Sequence, residues 1–389
     1  MKENETIPEF TLLGGPLHRL GCRLGMVRGT MNTFWLGAAL GLLAWGVLMG
    51  LALLQGVGHK VFSLSVIGGH VRLLVAIPLF FLCESWVVPR MAEFVRDIVR
   101  SGLVPEVSLP TLASDIRRIN RWKDSWLTEV LLALAAFGLP LIEAIAKVPG
   151  RTGNWSSLLV ETGGKLSPIL GWYLGFCLPL FRFLVFRWLL RLGLWWYFLW
   201  RVQRLDLRLI PTHPDRSAGL GYLEVVQEYF TPLATAISAV CAASFAEEIS
   251  SGTMAFGALY RLVPMVLLLI AVLFIVPLFL FASKLRICRI AGLSEYMGMA
   301  SRYVEAFDRR WIREERATGE SILGTPDLPA LATLTKSVDV VREMRWIPAS
   351  RRLMVSLAAS AAVPLLPLVF LKYPVDDVAV RLLRTLTGL

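Results

Sequence analysis

Seven stretches of this chain, roughly residues 33–55, 72–89, 126–146, 167–189, 229–249, 259–283 and 353–372, are apolar over the length that a helix needs to cross a hydrocarbon layer, about 20 residues. Backbone N–H and C=O groups in hydrocarbon have no water to bond, so such stretches must close their hydrogen bonds as helices or as a sealed barrel. A barrel would require a series of period-two segments of about 10 residues, and none runs through this sequence. The composition agrees: 389 residues that are 56% hydrophobic, with a mean hydropathy of +0.61, carry more apolar surface than a soluble core of that length hides. The expected fold is all-α, a polytopic transmembrane helical bundle of about seven spans with cytoplasmic helical extensions.

The first stretch begins near residue 33 and lacks a small-residue cleavage site, so it reads as a retained span and not as a secretory signal. Cys22, Cys83, Cys177, Cys241 and Cys288 lie in spans or beside their ends with no Cys-x-x-Cys pair, which points to neither disulfides nor a zinc site. The formal net charge of +11 reflects topology more than any affinity for nucleic acid. Of the 40 Lys and Arg residues, 29 fall in segments 1–32, 90–125, 190–228 and 284–352. That bias places those segments and the N-terminus in the cytoplasm and, with seven spans, the C-terminus outside. The expected organisation is a cytoplasmic N-terminal segment (1–32), two spans (33–89), a cytoplasmic helical linker (90–125), four spans (126–283) interrupted by a cytoplasmic turn at 208–223, a cytoplasmic helical region (284–352), and a last span with a short outer tail (353–389).

Both long basic segments have helical periodicity. Met91, Phe94, Val95, Ile98 and Val99 recur at steps that gather them on one face, as do Tyr296, Met299, Tyr303, Phe307 and Trp311. Such faces cover the end of a bundle or lie against anionic headgroups. The fourth span runs from Pro168 to about Leu205 with Pro179 inside it, ~57 Å as one helix, and so projects beyond the bilayer. Trp188, Trp195, Trp196, Tyr197 and Trp200 form an aromatic belt at its exit. Gly37, Gly41, Gly46 and Gly50 make two Gly-xxx-Gly pairs in the first span, where a neighbouring helix can approach closely.

An ionisable group at mid-membrane costs about 2.5–3.5 kcal/mol even on insertion scales, so each one in a span is informative. Glu84 and Arg182 are expected to pair across the second and fourth spans. In the fifth span, Glu224, Glu228, Thr231, Thr235 and Ser238 fall within an arc of about 80°, a polar stripe beside Pro232 that could line a hydrated path. Glu143, Glu247, Glu248 and Arg261 mark an outer rim, and His59 and His70 share an outer loop without a third ligand, so no metal site is expected.

The segment "RLIPTHPDRSAGLGYL" admits several readings. No strand precedes its Gly-x-Gly, which argues against a phosphate loop. Its His-Pro-Asp also occurs in J-domain co-chaperones, but the basic helix of that family is missing here. No nucleophile accompanies His213 and Asp215. The plain reading is a helix stop at Pro211 and Pro214, with Asp215 or Ser217 capping the next helix. Together with "GTPDLPALATLTKSVDVVREMRWIPASRR" and "PLLPLVFLKYPVDDVAVRLLRTL", the segment "PTHPDRSAGLG" resembles a widespread, uncharacterised group of bacterial multi-pass inner-membrane proteins. The resemblance implies a bacterial inner-membrane setting and no activity. It singles out two Pro-Asp turns, one with His213, Asp215 and Arg216 as a latch or gate contact, the other with Asp327 as a helix N-cap, and the two are expected to face one another beneath the bundle.

The sequence therefore leads to a channel or transporter for an ion or small solute, with the fifth-span stripe as its inner path. The alternative is a non-transporting scaffold or signalling protein whose cytoplasmic helices dock a partner. A lipid-directed enzyme would have only His213 and Asp215 to work with. No cofactor or metal is expected. The expected partners are the bilayer, anionic lipid at the basic faces, a second copy of the chain and a cytoplasmic protein, with no nucleic acid.

Overall fold

The structure, a computed structural model, describes residues 8–12, 33–145, 168–313 and 325–372, without the side chains of residues 59–60 and 140–145. Cys22 and the side chains of His59 and Glu143 lie outside the described residues. Among the described residues there are helices and no strands, and each of the seven apolar stretches falls on a helix. Six are long and apolar enough to cross a membrane: α1 (Thr33–Leu54), α2 (Leu64–Arg100), α5 (Pro168–Gln203), the pair α6 (Tyr222–Glu228) and α7 (Thr231–Ser250), α8 with its leading turn (Phe256–Phe274), and α11 (Arg351–Ala362) with its 3-10 continuation to Leu371. The third stretch is α4 (Trp126–Ile145), whose apolar part, Trp126–Leu139, is shorter. Outside the spans lie α3 (Leu109–Lys123), α9 (Ala282–Trp311) and α10 (Asp327–Arg342).

The helices pack as one bundle. α2 takes α1 on one side and α7 on another, α5 packs against α4, and α7 is flanked by α2 and by α11 with its 3-10 segment. One end of the bundle, here called the near side, gathers α3, the turn after α5, and the α9–α10 hairpin. Arg201 of α5 bonds Asp115 of α3 at 2.9 Å, and Lys284 of α9 donates to the Leu205 carbonyl. Residues 8–12 are inserted at the same end, where Phe10 packs tilted against Phe198 with ring centroids 4.4 Å apart and Lys123 donates to the Thr11 carbonyl at 3.0 Å.

Three sequence expectations change here. α5 stops at Gln203, well before Pro211, because the chain turns out to pair with the loop after α2, with Arg208 N–H donating to the Leu103 carbonyl at 2.8 Å. The fifth span is two helices broken at Tyr229 and Phe230, and Pro232 sits in the first turn of α7, where its missing N–H costs nothing. Of the four glycines in α1, only two serve close packing. A Cβ on Gly37 would lie 2.6 Å from the Phe81 ring and one on Gly41 would strike the Leu73 carbonyl, while Gly46 and Gly50 face open space.

Gly41→Leu should therefore destabilise the α1–α2 contact by about 1–3 kcal/mol, the usual cost of overpacking, and Gly46→Leu should not. Thermal unfolding in detergent would distinguish them, and equal losses would mean that α1 packs elsewhere.

Candidate functional site

The near-side turn is built around one carboxylate. Asp215 accepts the backbone N–H of Ser217 at 2.8 Å, of Gly219 at 3.0 Å and of Gly221 at 2.7 Å, and lies 2.8 Å from His213 Nδ1. The backbone needs that support, since Arg216 (φ 57°) and Ala218 (φ 55°) hold left-handed conformations that cost an L-residue about 1–2 kcal/mol each. Gly221 cannot carry a side chain, because its Cβ would lie 2.7 Å from that of Asp215. Burial pushes the Asp215 carboxyl up, but the N–H groups of Ser217 and Gly221, the His213 contact and the Gly219 N–H outweigh it, holding the carboxyl below its ordinary range. Asp215 thus reaches the N-cap residue of α6, Gly221, whereas the buried Ser217 hydroxyl bonds nothing among the described residues and is no cap.

This turn is latched to the hairpin. Pro211 fills the space above Gly292 of α9, the Arg345 N–H donates to the Arg216 carbonyl at 2.8 Å, and Arg216 pairs with Glu343 at 3.0 Å. Asp327 does not face it. It begins α10, whose 16 residues separate it from this contact by about 22 Å, and it is held by Trp311 Nε1 at 2.9 Å and the Tyr303 hydroxyl at 3.2 Å. Its side chain caps no helix, the N-cap of α10 being Pro326.

The fifth-span stripe faces α11 and the chain leading into it. Glu224 meets Arg345 at 2.7 Å, Glu228 meets Arg352 at 3.2 Å, and the fully buried Ser238 donates to the Ala361 carbonyl. Thr235 donates to the Thr231 carbonyl at 3.0 Å, one turn back in its own helix. In this arrangement the stripe is a seam between two helices, buried at Ser238 and open at its rim, where the Glu228 side chain is 33% and that of Arg352 82% exposed.

Deeper in the bundle, α2 and α5 share a buried ionic cluster. Glu84, 4% exposed, accepts from Arg191 at 2.7 Å and lies 3.7 Å from Arg187. The expected pairing of the two spans forms, but with these arginines rather than Arg182, which lies about 13.5 Å from Arg191 along the helix. A second cluster lies toward the far side. Arg72 donates to the Tyr173 hydroxyl at 2.7 Å and to Ser244 at 3.4 Å, and Glu247 accepts the Gly68 N–H at 2.7 Å. Arg72 and Tyr173 each open a five-residue π-helical stretch, Arg72–Ala76 and Tyr173–Cys177. Such stretches are rare inside α-helices and are frequent at functional sites. Glu247 is accordingly buried instead of ringing a mouth, while Glu248 and Arg261 are exposed.

No three His, Cys, Asp or Glu side chains gather as a metal site among the described residues. His70 is engaged by Trp45 Nε1 and the Val61 carbonyl, both at 2.8 Å. Buried Gln227 has neither its amide N nor its amide O bonded among the described residues, and no sequence signal pointed to it. Arg191, Arg345 and Arg352 were also missed as partners. Depth counted from the near-side helix ends would have brought Arg187 level with Glu84, one turn from the first of them. Comparison with known protein families, with curated proteins and with solved structures found no match. The fold and the buried ionic clusters define an integral, multi-pass helical membrane protein.

Glu84→Ala should cost about 3–5 kcal/mol by leaving buried Arg191 without its carboxylate, and Glu84→Leu with Arg191→Leu should recover part of it. A denaturant titration of single and double variants would show this coupling, and strict additivity would argue against the pair. For Asp215, a folded pKa below the unfolded value means that its contribution is complete at neutral pH and fades only as pH falls below about 4. Amide protection at Ser217, Gly219 and Gly221 should follow that course, and Asp215→Asn should lose it at every pH. Protection that ignores both would place the strain relief elsewhere.

Proposed function

We propose that this chain is a non-transporting membrane scaffold of a bacterial cytoplasmic membrane, a closed bundle that holds the α9–α10 hairpin in the cytoplasm as a docking element for a protein partner. The observation that supports this over a conduit is the seam. The acidic groups of the fifth-span stripe are paired with Arg345 and Arg352, and its innermost hydroxyl bonds the Ala361 carbonyl. The Lys and Arg bias supports the cytoplasmic assignment of the near side.

The hairpin has the features of a docking element. α9 is 30 residues, about 45 Å, and turns Tyr296, Tyr303 and Trp311 toward α10 and the latched turn. The flank about 100° round the helix carries Ile290, Met297 and Val304 at seven-residue spacing, exposed by 58%, 47% and 48%, with Ile287 one turn before them. An apolar row at that spacing fits an amphipathic helix-to-helix contact.

Two measurements test the reading. Liposomes containing the protein should pass ions and small solutes no faster than empty ones, and a photo-crosslinker at Met297 in intact cells should yield one discrete adduct that Ile290→Glu with Val304→Glu abolishes. A protein-dependent flux that Glu228→Gln removes would overturn the scaffold reading in favour of transport.

A further inference from the structure

The last span does not finish as an α-helix. From Val363 to Leu371 it is a nine-residue 3-10 segment with Pro364 and Pro367, far longer than the three or four residues at which such segments usually stop. A 3-10 helix is longer per residue and slimmer than an α-helix, so it leaves space on both flanks. On one side is a cleft of about 470 Å³ against α8, lined by Leu259, Tyr260, Val263 and Leu267 with Leu365 and Val369. On the other is a cleft of about 300 Å³ against α2 and α7, lined by Ile67, Val71, Ala239 and Ala243 with Pro364 and Pro367. Leu368 lines both and forms the ridge between them.

Three occupants can be weighed. Water needs polar partners, and these walls are almost wholly apolar. Each cleft runs beside a 3-10 segment of nine residues, about 18 Å, short of the roughly 30 Å over which a transmembrane helix would seat. Hydrocarbon chains fit, two of them side by side in the same leaflet. Where the ridge ends, the ammonium of exposed Lys372 lies 5.3 Å from the centroid of Phe256, a lining residue of the larger cleft, and Arg261 is exposed on the first turn of α8. Cations at the rim of paired apolar clefts favour a phosphate there.

We infer that the 3-10 segment is the saddle of a specific lipid site, holding one anionic diacyl phospholipid of the far-side leaflet with a chain in each cleft and its phosphate at Lys372. The test is native mass spectrometry of the full chain released from mixed phosphatidylcholine and phosphatidylglycerol bilayers, with single-chain lysophosphatidylglycerol as competitor. One phosphatidylglycerol should stay bound per chain, and the lysolipid should not displace it. Lys372→Gln should cut the preference for phosphatidylglycerol over phosphatidylcholine by roughly fivefold, the worth of one surface cation. Leu368→Trp should expel the lipid. If that variant melts early, Ala243→Leu and Val263→Phe each fill one cleft and should do the same in a protein that still folds. Lysolipid retained as well as the diacyl form, or folded cleft-filling variants that keep the lipid, would reduce the site to ordinary bilayer contact.

Discussion

A charged group inside hydrocarbon must find an opposite charge or a hydrogen bond, and the bundle is arranged around meeting that demand. Glu84 joins α2 to α5 through Arg191 and Arg187, and on the far side Arg72 joins the same two helices through Tyr173. The two ties are about 18 Å apart along α2, with only apolar side chains and Cys83 between them in the sequence. Neither cluster need stabilise the fold more than apolar packing would. Buried ion pairs are better at specifying which helices meet and in what register than at adding net stability. The π-helical stretches that Arg72 and Tyr173 open each end two residues before a proline, Pro78 and Pro179, whose missing N–H and ring interrupt the α-helical ladder.

The seam between α6–α7 and α11 applies the same rule to the last span. Glu224 and Glu228 lie near the near-side end, where Arg345 and Arg352 reach them from the chain entering α11, and Ser238 secures the interior by bonding the Ala361 carbonyl. That carbonyl lies at the very point where α11 gives way to 3-10 geometry, where backbone groups change partners. Arg345 also donates its N–H to the strained turn at Arg216, so one residue couples the hairpin, the turn and the seam. The scaffold proposal rests on that continuity between bundle and hairpin.

The class of fold was legible because hydropathy over about 20 residues is a local property of sequence. The polar stripe was legible too, as periodicity, but periodicity says only that Glu224, Glu228 and Ser238 share a face. Whether the face meets water or a helix depends on Arg345, Arg352 and Ala361, more than 100 residues further along, which no local rule connects to it. Arg182 was chosen over Arg191 because depth was judged from the edges of apolar windows, although both helices run past the membrane. Glu84 is 16 residues before the end of α2 and Arg187 is 16 before the end of α5, so counting from those ends aligns them. The turn at 208–223 was read correctly as a turn, yet its prolines were credited with stopping α5 when a tertiary hydrogen bond at Arg208 holds the chain away from the helix. Likewise Pro-Asp looked like an N-cap at Asp327, where Trp311 claims the carboxylate instead.

The account turns on whether the stripe is dry, and water access measures that directly. A single cysteine at Ser238, in a chain whose native cysteines are replaced, would be exposed to a membrane-impermeant thiol reagent in intact membranes open to both sides, with a cysteine at the 37%-exposed His213 as the accessible control. The seam predicts rapid labelling at position 213 and none at 238 until the protein is denatured. Labelling at 238 at a rate approaching the control would contradict it, and would return the fifth span to the role of a hydrated path.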